Sequence, residues 1–184
     1  MSRGVHIALR IALRIALLMA AVLQVGGCRD EIAWPAVDHA IRTEYPEVRR
    51  VTTDSLARWI ASDSLRRPIL LDTRPAEEFA VSQLHGAVRI DPDAEDFSML
   101  DTLGRDAPIV TYCSVGYRSS GIAEKLQTAG FTNVRNLEGS IFRWANEGRP
   151  VYRDGREVHE VHPFDAVWGS LLDPELRAYE PGGG

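Results

Sequence analysis

The chain has 184 residues, enough for one domain with a substantial core and too few for two ordinary domains. Apolar residues make up 45% and charged residues 26%, which excludes disorder, collagen-like repeats and coiled coil as the main state. The formal net charge is −5, and residues 1–27 contain basic but no acidic side chains, so the rest of the chain is more acidic still. We expect no nucleic-acid partner, because phosphate contacts need a basic face.

The first 27 residues have the pattern of an export signal. A positively charged start precedes an uncharged stretch over residues 15–25, and small residues follow before Cys28. The uncharged stretch is shorter than the roughly 20 apolar residues that a helix needs to span a bilayer. The basic residues of the start are Arg3, Arg10 and Arg14. We therefore predict a signal peptide over residues 1–27.

Residues 25–28 (Val-Gly-Gly-Cys) resemble a bacterial lipobox. The resemblance implies cleavage before Cys28 and acylation of its sulfur and of the new N-terminus. Several acyl chains, at about 0.8 kcal/mol per buried methylene, would hold the protein on a membrane. Since Arg29 and not Asp follows Cys28, we expect the outer membrane of a Gram-negative cell envelope, with the protein facing the periplasm. An ordinary signal peptide or an uncleaved anchor is the alternative.

Residues 28–50 predict a tether that carries one short helix and is not a second domain. Val37, Ala40 and Ile41 recur there at helical spacing, between Pro35 and Pro46.

Strand and helix signals alternate from residue 51 to about residue 156. Buried strands are predicted from unbroken apolar runs at 68–72 and 108–112, and shorter strands at 51, 87–90 and 134–137. Helices are predicted after a cap at Thr53 or Asp54, at 75–79, at 97–103, around 122–126 up to Gly130, and at 141–144. This alternation is typical of an α/β domain, with a mainly parallel sheet covered by helices on both faces. In such sheets ligands bind beyond the carboxyl ends of the strands.

Cys113 follows directly on one of these strands and precedes a helix. Two cysteines in the chain cannot form a disulfide framework, and a lone buried cysteine is usually an inert small hydrophobic residue. Here, however, loop amides and a helix N-terminus converge, Gly116 permits the turn, and Arg118 adds a positive charge. Such surroundings lower the pKa of a thiol from about 8.5 into the range of about 3.5 to 7.5, so that the thiolate is the reactive form.

Four stretches in order resemble the single-domain rhodanese family, over roughly residues 51–152. They are an aspartate strand followed by Arg and a Glu-Phe pair, a second short strand motif, the Cys-to-Arg loop, and a closing Gly, Trp and Gly-x-Pro-Val pattern. Their positions are 69–79, 84–90, 109–119 and 137–151. The resemblance implies a rhodanese-like three-layer α/β/α domain over residues 51–156.

The resemblance also implies a sulfurtransferase. Cys113 would accept a sulfane sulfur from thiosulfate or a similar donor as a persulfide and pass it to cyanide, a thiol or a protein sulfur acceptor. The loop that would cradle the anion comprises Ser114, Val115, Gly116, Tyr117, Arg118 and Ser119. Arg118 is assigned to the negative charge of the donor, and no metal or cofactor is implied.

Three charged residues near the site are expected to be scaffold by the same matching: Asp72, Arg74 and Glu78. A pair between Arg74 and Glu78, four residues apart, would hold the ends of their loop together. One departure from the family is that Gln83 stands where His is common and His85 where Pro is common, and we interpret His85 as a loop residue.

Two other functions stay open at this stage. A Cys-dependent phosphatase or arsenate reductase would place five residues between Cys and Arg, whereas four lie between Cys113 and Arg118, so the loop favours sulfur. A non-catalytic persulfide carrier or binding module would keep the same residues.

Residues 157–184 predict a C-terminal tail with a helix docked on the domain. Trp168, Leu171 and Leu172 have the spacing of one helix face. His159 and His162 lie three residues apart, but nothing nearby completes a metal site, and we expect none.

Overall fold

A computed structural model describes residues 29–63 and 66–182, with side chains from residue 33 onward; the predicted signal peptide and Cys28 lie outside the described residues. The α-helices are α1 Arg29–Glu44, α2 Thr53–Ala61, α3 Ala76–Val81, α4 Tyr117–Thr128 and α5 Ser140–Asn146. The strands are β1 Arg50–Val51, β2 Ile69–Asp72, β3 Val88–Arg89, β4 Ile109–Tyr112, β5 Val134–Leu137, β6 Val151–Arg153 and β7 Arg156–Val158. Short 3₁₀-helices cover Ser98–Leu100, Trp168–Leu171 and Pro174–Leu176.

A five-stranded parallel sheet forms the centre of the domain, in the order β1-β5-β4-β2-β3. Asp72 at the end of β2 lies opposite Tyr112 at the end of β4. The loops that follow these two strands therefore leave the sheet at the same edge, where α/β proteins place their ligand sites.

Helices cover the sheet on both faces, which confirms the predicted fold class. Val110 of β4 packs in one apolar cluster with residues of α1, α2 and α5, such as Leu56 and Ile141. Its neighbour Ile109 packs in a second cluster with Ile122 and Leu126 of α4. Successive strand residues thus point to opposite, equally covered faces, which explains why the β4 sequence is apolar without alternation.

Helix α1 is longer than the short helix expected, and it packs on the domain. Ala33, Trp34, Val37 and Ile41 are buried in the same cluster as Leu56 of α2. The apolar side chains that predicted a helix therefore serve as core, and this part of the chain does not behave as a tether.

Two local expectations differ in detail from the structure. Over 97–103 the chain forms only a 3₁₀-helix, and the apolar residues Phe97, Leu100 and Leu103 recur every three residues, which is the repeat of a 3₁₀-helix. The cap of α2 is Thr52, one residue earlier than expected, whose hydroxyl accepts a hydrogen bond from the Ser55 amide at 3.2 Å.

The C-terminal part is docked without an α-helix. Strands β6 and β7 form an antiparallel hairpin that crosses residue 156, where the predicted domain ended. Beyond it the chain forms 3₁₀-helices, with Leu171 and Leu172 buried in the core. Pro163 and Pro174 lack the amide hydrogen that a continuous helix needs. Among the helices of the described residues, none has the length and apolar character required to cross a membrane.

Candidate active site

Cys113 lies at the carboxyl edge of the sheet, between β4 and α4, and its residue is 1% exposed. The neighbouring helix α5 fixes its backbone. The Cys113 amide donates to the Ser140 hydroxyl at 3.1 Å, and the Ile141 amide donates to the Cys113 carbonyl at 3.1 Å. The residue that carries the thiol is therefore held by both β4 and α5.

Gly116 turns the loop so that its amide points at the sulfur. Its φ of +110° lies in a region that residues with a side chain rarely adopt. In this conformation the Gly116 amide donates to Cys113 Sγ at 3.1 Å. The Gly116 carbonyl accepts hydrogen bonds from Asn136 Nδ2 at 3.0 Å and from the Ser120 hydroxyl at 2.8 Å. The turn is thus held through both the amide and the carbonyl of Gly116.

Asn136 is a site residue that the sequence reasoning missed. It is buried in β5, and its side-chain oxygen accepts a hydrogen bond from the Ser119 hydroxyl at 2.6 Å. Together with its bond to Gly116, it links the start of α4 to the sheet. The available signal was a polar residue inside a strand that is otherwise buried, since buried polar groups need partners.

The pKa of the Cys113 thiol lies below its ordinary value. Burial raises this pKa, but the positive charge of Arg118 lowers it, as do hydrogen bonds from Ser119 and from the Gly116 amide, and their combined effect is larger. The site therefore favours the thiolate, which is the nucleophilic form of cysteine.

Arg118 and Glu78 form a cluster beside the thiol. Glu78 is 1% exposed, and its Oε1 and Oε2 accept hydrogen bonds from Arg118 Nη1 at 2.7 Å and Nη2 at 3.1 Å. The Ser114 hydroxyl donates to Glu78 Oε2 at 2.7 Å. The pKa of Arg118 is raised, because burial lowers it less than Cys113 and Glu78 raise it. Glu78 therefore belongs to the wall of the site.

The expected pair between Arg74 and Glu78 is wrong. Arg74 instead binds Asp72 through one edge of its guanidinium, Nε to Oδ1 at 2.9 Å and Nη2 to Oδ2 at 2.6 Å, and both side chains are fully buried. Arg74 Nη2 also donates to the Ser82 carbonyl at 2.5 Å. Asp72 is the last residue of β2, and Arg74 follows two residues later, before α3 begins at Ala76. The ion pair between them therefore holds the loop after β2 in place.

Two of the predicted loop residues face away from the cluster of polar groups. Val115 is buried in the apolar core, and the Tyr117 ring contacts the ring of Tyr45, the residue after α1, with centroids 5.6 Å apart. Gly116, Arg118 and Ser119 act on the thiol, and Ser114 joins the cluster through Glu78 and Arg118.

The C-terminal segment contributes an aromatic ring that the sequence reasoning did not anticipate. The Phe164 ring covers the Arg118 guanidinium, with 4.8 Å between Cζ and the ring centroid. His162 lies close enough for the charges of Glu78 and Arg118 to act on it. Sequence spacing carries no signal for a contact between residues so far apart.

Two histidines, His162 and His85, have structural contacts. His162 Nδ1 accepts the Phe164 amide at 3.0 Å, and the exposed His85 packs its ring against Tyr152 with centroids 4.7 Å apart. Across residues 29–63 and 66–182, no group of three or more His, Cys, Asp or Glu side chains could hold a metal ion.

Comparison with known proteins identifies residues 52–147 as matching the family described as "Rhodanese-like domain", which is more than half of the chain. A tRNA uridine(34) hydroxylase of Burkholderia ambifaria is 30% identical over 151 residues, covering 77% of this chain and 50% of that protein. The adenylyltransferase and sulfurtransferase UBA4 of Meyerozyma guilliermondii is 35% identical over 86 residues, covering 43% of this chain and 20% of that protein.

Solved structures share the fold. A thiosulfate sulfurtransferase from Pseudomonas aeruginosa aligns with a TM-score of 0.54 at 14% identity, over 63% of this chain and 22% of that one. The chain spans about half the length of the hydroxylase and smaller fractions of the other two proteins.

Proposed function

This chain belongs to the rhodanese-like family, and we propose that it transfers a sulfane sulfur from a donor to a thiophilic acceptor through a persulfide on Cys113. The observation that carries the proposal is the contact at 3.1 Å between the Gly116 amide and Cys113 Sγ, in a loop where Arg118 also favours the thiolate. A preorganised amide of this kind stabilises negative charge on the sulfur both before and after transfer. Cyanide and thiols are the acceptors that we propose.

The first half-reaction is a nucleophilic displacement. The Cys113 thiolate attacks the outer sulfur of thiosulfate, the S–S bond of the donor breaks, and sulfite leaves with the electron pair. In the second half-reaction, cyanide attacks the outer sulfur of the persulfide, thiocyanate forms, and the thiolate returns. Neither step needs a metal, an external oxidant or a reductant, because the sulfur moves between two nucleophiles.

The size of the loop supports sulfur transfer over phosphoryl chemistry. Four residues separate Cys113 from Arg118, and Arg118 is already held by the Glu78 carboxylate. The non-catalytic persulfide carrier remains the second candidate, favoured by the 1% exposure of Cys113.

The test is the intact mass of the full-length protein after treatment with thiosulfate or an organic persulfide, followed by cyanide. We expect a gain of one sulfur (about 32 Da), mapped to the Cys113 peptide and lost on release of thiocyanate. Cys113→Ser should gain none at this position. Repeated turnover supports the enzyme, a single stoichiometric cycle supports the carrier, and no sulfur on Cys113 from either donor overturns both.

We further propose that the protein is anchored in the cell envelope through lipid on Cys28, facing the periplasm if the source is Gram-negative. The support is the lipobox-like segment over residues 25–28. Wild-type protein should enter the detergent phase on phase separation, and Cys28→Ala should stay in the aqueous phase. A wild-type protein cleaved elsewhere and found entirely in the aqueous phase would contradict the anchor.

A further inference from the structure

The charge of Arg118 is already compensated within the protein. Both of its terminal nitrogens donate to the buried Glu78 carboxylate, and Nη2 also donates to the Ser114 hydroxyl at 2.8 Å. Arg118 is the cation whose charge acts on the Cys113 thiol. A dianion such as thiosulfate gains less from a guanidinium whose terminal nitrogens already donate to a carboxylate that balances its charge.

The outer face of the same guanidinium is covered by Phe164. Its ring lies 4.8 Å from Arg118 Cζ, while Phe164 itself stays 42% exposed. Phe164 therefore offers exposed apolar surface to a molecule that approaches Arg118 from this side. A donor that reaches Arg118 from this side therefore meets an aromatic ring before it meets a positive charge.

The position of Phe164 is imposed by the segment that carries it, residues 161–172. Its φ of +65° is uncommon for a bulky residue, and its amide is held by His162 Nδ1 at 3.0 Å. Both ends of the segment are buried in the core, at Val161 and Leu172. A strained backbone that is anchored on both sides indicates that the ring is placed over Arg118 by the fold.

His162 adds no positive charge beside the ring at neutral pH. Its pKa is lowered mainly by burial; the facing carboxylates of Glu78 and Glu77 raise it, and the facing Arg74 and Arg118 lower it. The imidazole is therefore neutral at neutral pH, and the surface that it shares with Phe164 is weakly charged.

We propose that Phe164 is a specificity-determining residue that favours small organic persulfides, R–S–SH, over thiosulfate as the sulfur donor. The inference rests on the proposed function of Cys113 and names its substrate class. An organic persulfide carries at most one negative charge, against two on thiosulfate, so it depends less on a free cation, and its R group gains apolar contact with the ring. Segment 161–172 lies beyond the family match at 52–147, so this selectivity is a property of this chain's own C-terminal part.

The transfer of sulfur to Cys113 needs no reactant other than the persulfide. The Cys113 thiolate attacks the outer sulfur of R–S–SH, a new S–S bond forms at Cys113, and the S–S bond of the donor breaks. The thiolate R–S⁻ leaves with the electron pair, and the proton stays on the outer sulfur. The sulfane sulfur keeps its oxidation state throughout.

The experiment compares kcat/KM for benzyl persulfide, released in situ, with that for thiosulfate, using full-length protein and cyanide as acceptor. The Cys113→Ser variant supplies the uncatalysed background. In Phe164→Ala we expect the ratio of persulfide to thiosulfate kcat/KM to fall about tenfold, because the apolar contact is lost and Arg118 is uncovered. Phe164→Leu keeps apolar bulk without a ring face, and its ratio should lie between those of wild type and Phe164→Ala.

Tyr179→Ala is the matched control, since Tyr179 is another exposed aromatic residue of the C-terminal part and contacts the His162 ring. Its ratio should stay within about twofold of wild type. An unchanged ratio in Phe164→Ala and Phe164→Leu, or an equal loss with both donors, would overturn the inference while leaving sulfur transfer intact. Absence of sulfur on Cys113 with both donors in wild type would instead overturn the proposed function.

Discussion

Replacing Glu78 by glutamine should destabilise the protein by about 2–3 kcal/mol. Removing one partner of a buried ion pair costs about 3–5 kcal/mol, because the other charge is left without compensation. Glu78 is 1% exposed, but the Arg118 side chain is 24% exposed, and glutamine keeps one acceptor oxygen. We therefore expect a cost somewhat below that range, about 2–3 kcal/mol. With a urea dependence of about 2 kcal/mol per molar, the unfolding midpoint should fall by about 1 M.

The same substitution should change the reactivity of Cys113. With the carboxylate removed, Arg118 faces the thiolate without a competing negative charge, so the pKa of Cys113 should fall further below its ordinary value. The assay is the rate of iodoacetamide alkylation of Cys113 against pH, followed on its tryptic peptide. In wild type the midpoint should lie below the ordinary thiol value of about 8.5, and in Glu78→Gln it should lie lower still.

Glu77→Gln is the matched control for both measurements. Glu77 is exposed and lies beside Glu78 in the first turn of α3, so both substitutions remove the same charge from the same helix end. The control should change stability by less than about 1 kcal/mol and leave the alkylation midpoint in place. Equal urea midpoints for the two variants, or a raised Cys113 pKa in Glu78→Gln, would refute the role assigned to the Glu78–Arg118 pair.

Three further substitutions test the scaffold by urea unfolding. Asp72→Asn should cost about 3–5 kcal/mol by leaving the fully buried Arg74 unpaired, and a loss below about 1 kcal/mol would contradict that pairing. Gly116→Ala should cost about 1–3 kcal/mol and slow alkylation of the site thiol, since φ is +110° and the new Cβ would lie 3.2 Å from Asn136 Nδ2. Trp34→Ala should cost about 3–5 kcal/mol, and a smaller loss than about 1 kcal/mol would mean that α1 is not part of the core.

The elements of the sheet could be predicted because their sequences are governed by burial on both faces. The apolar runs at 68–72 and 108–112 coincide with β2 and β4, which are covered by helices on either side. The expectations that failed concern segments whose structure depends on tertiary contact. Over 97–103 a threefold apolar repeat fits a 3₁₀-helix as well as an α-helix, and only the 3₁₀-helix Ser98–Leu100 forms.

The centre of the site could be predicted for a similar reason. Cys113, Gly116 and Arg118 lie within six residues of one another, so a single loop sets their geometry. Glu78 and Arg74 could not be paired correctly, because helical spacing suggested that they bind each other while the fold offers each a nearer partner of opposite charge. Pairing across elements depends on which loops meet at the edge of the sheet.

Two aromatic residues from outside the matched region contact the first turn of α4. Tyr45, directly after α1, packs against Tyr117, and Phe164 covers Arg118, so adjacent residues of the same turn are contacted by segments on either side of the matched region. The loop supplies the thiol chemistry, and it is built from residues within the matched region. Under the proposed function, a donor that approaches Arg118 from the side of Phe164 meets a residue from outside the matched region. Differences in the preferred sulfur donor between this chain and its relatives should therefore correlate with sequence differences in the flanking segments more closely than with those in the loop.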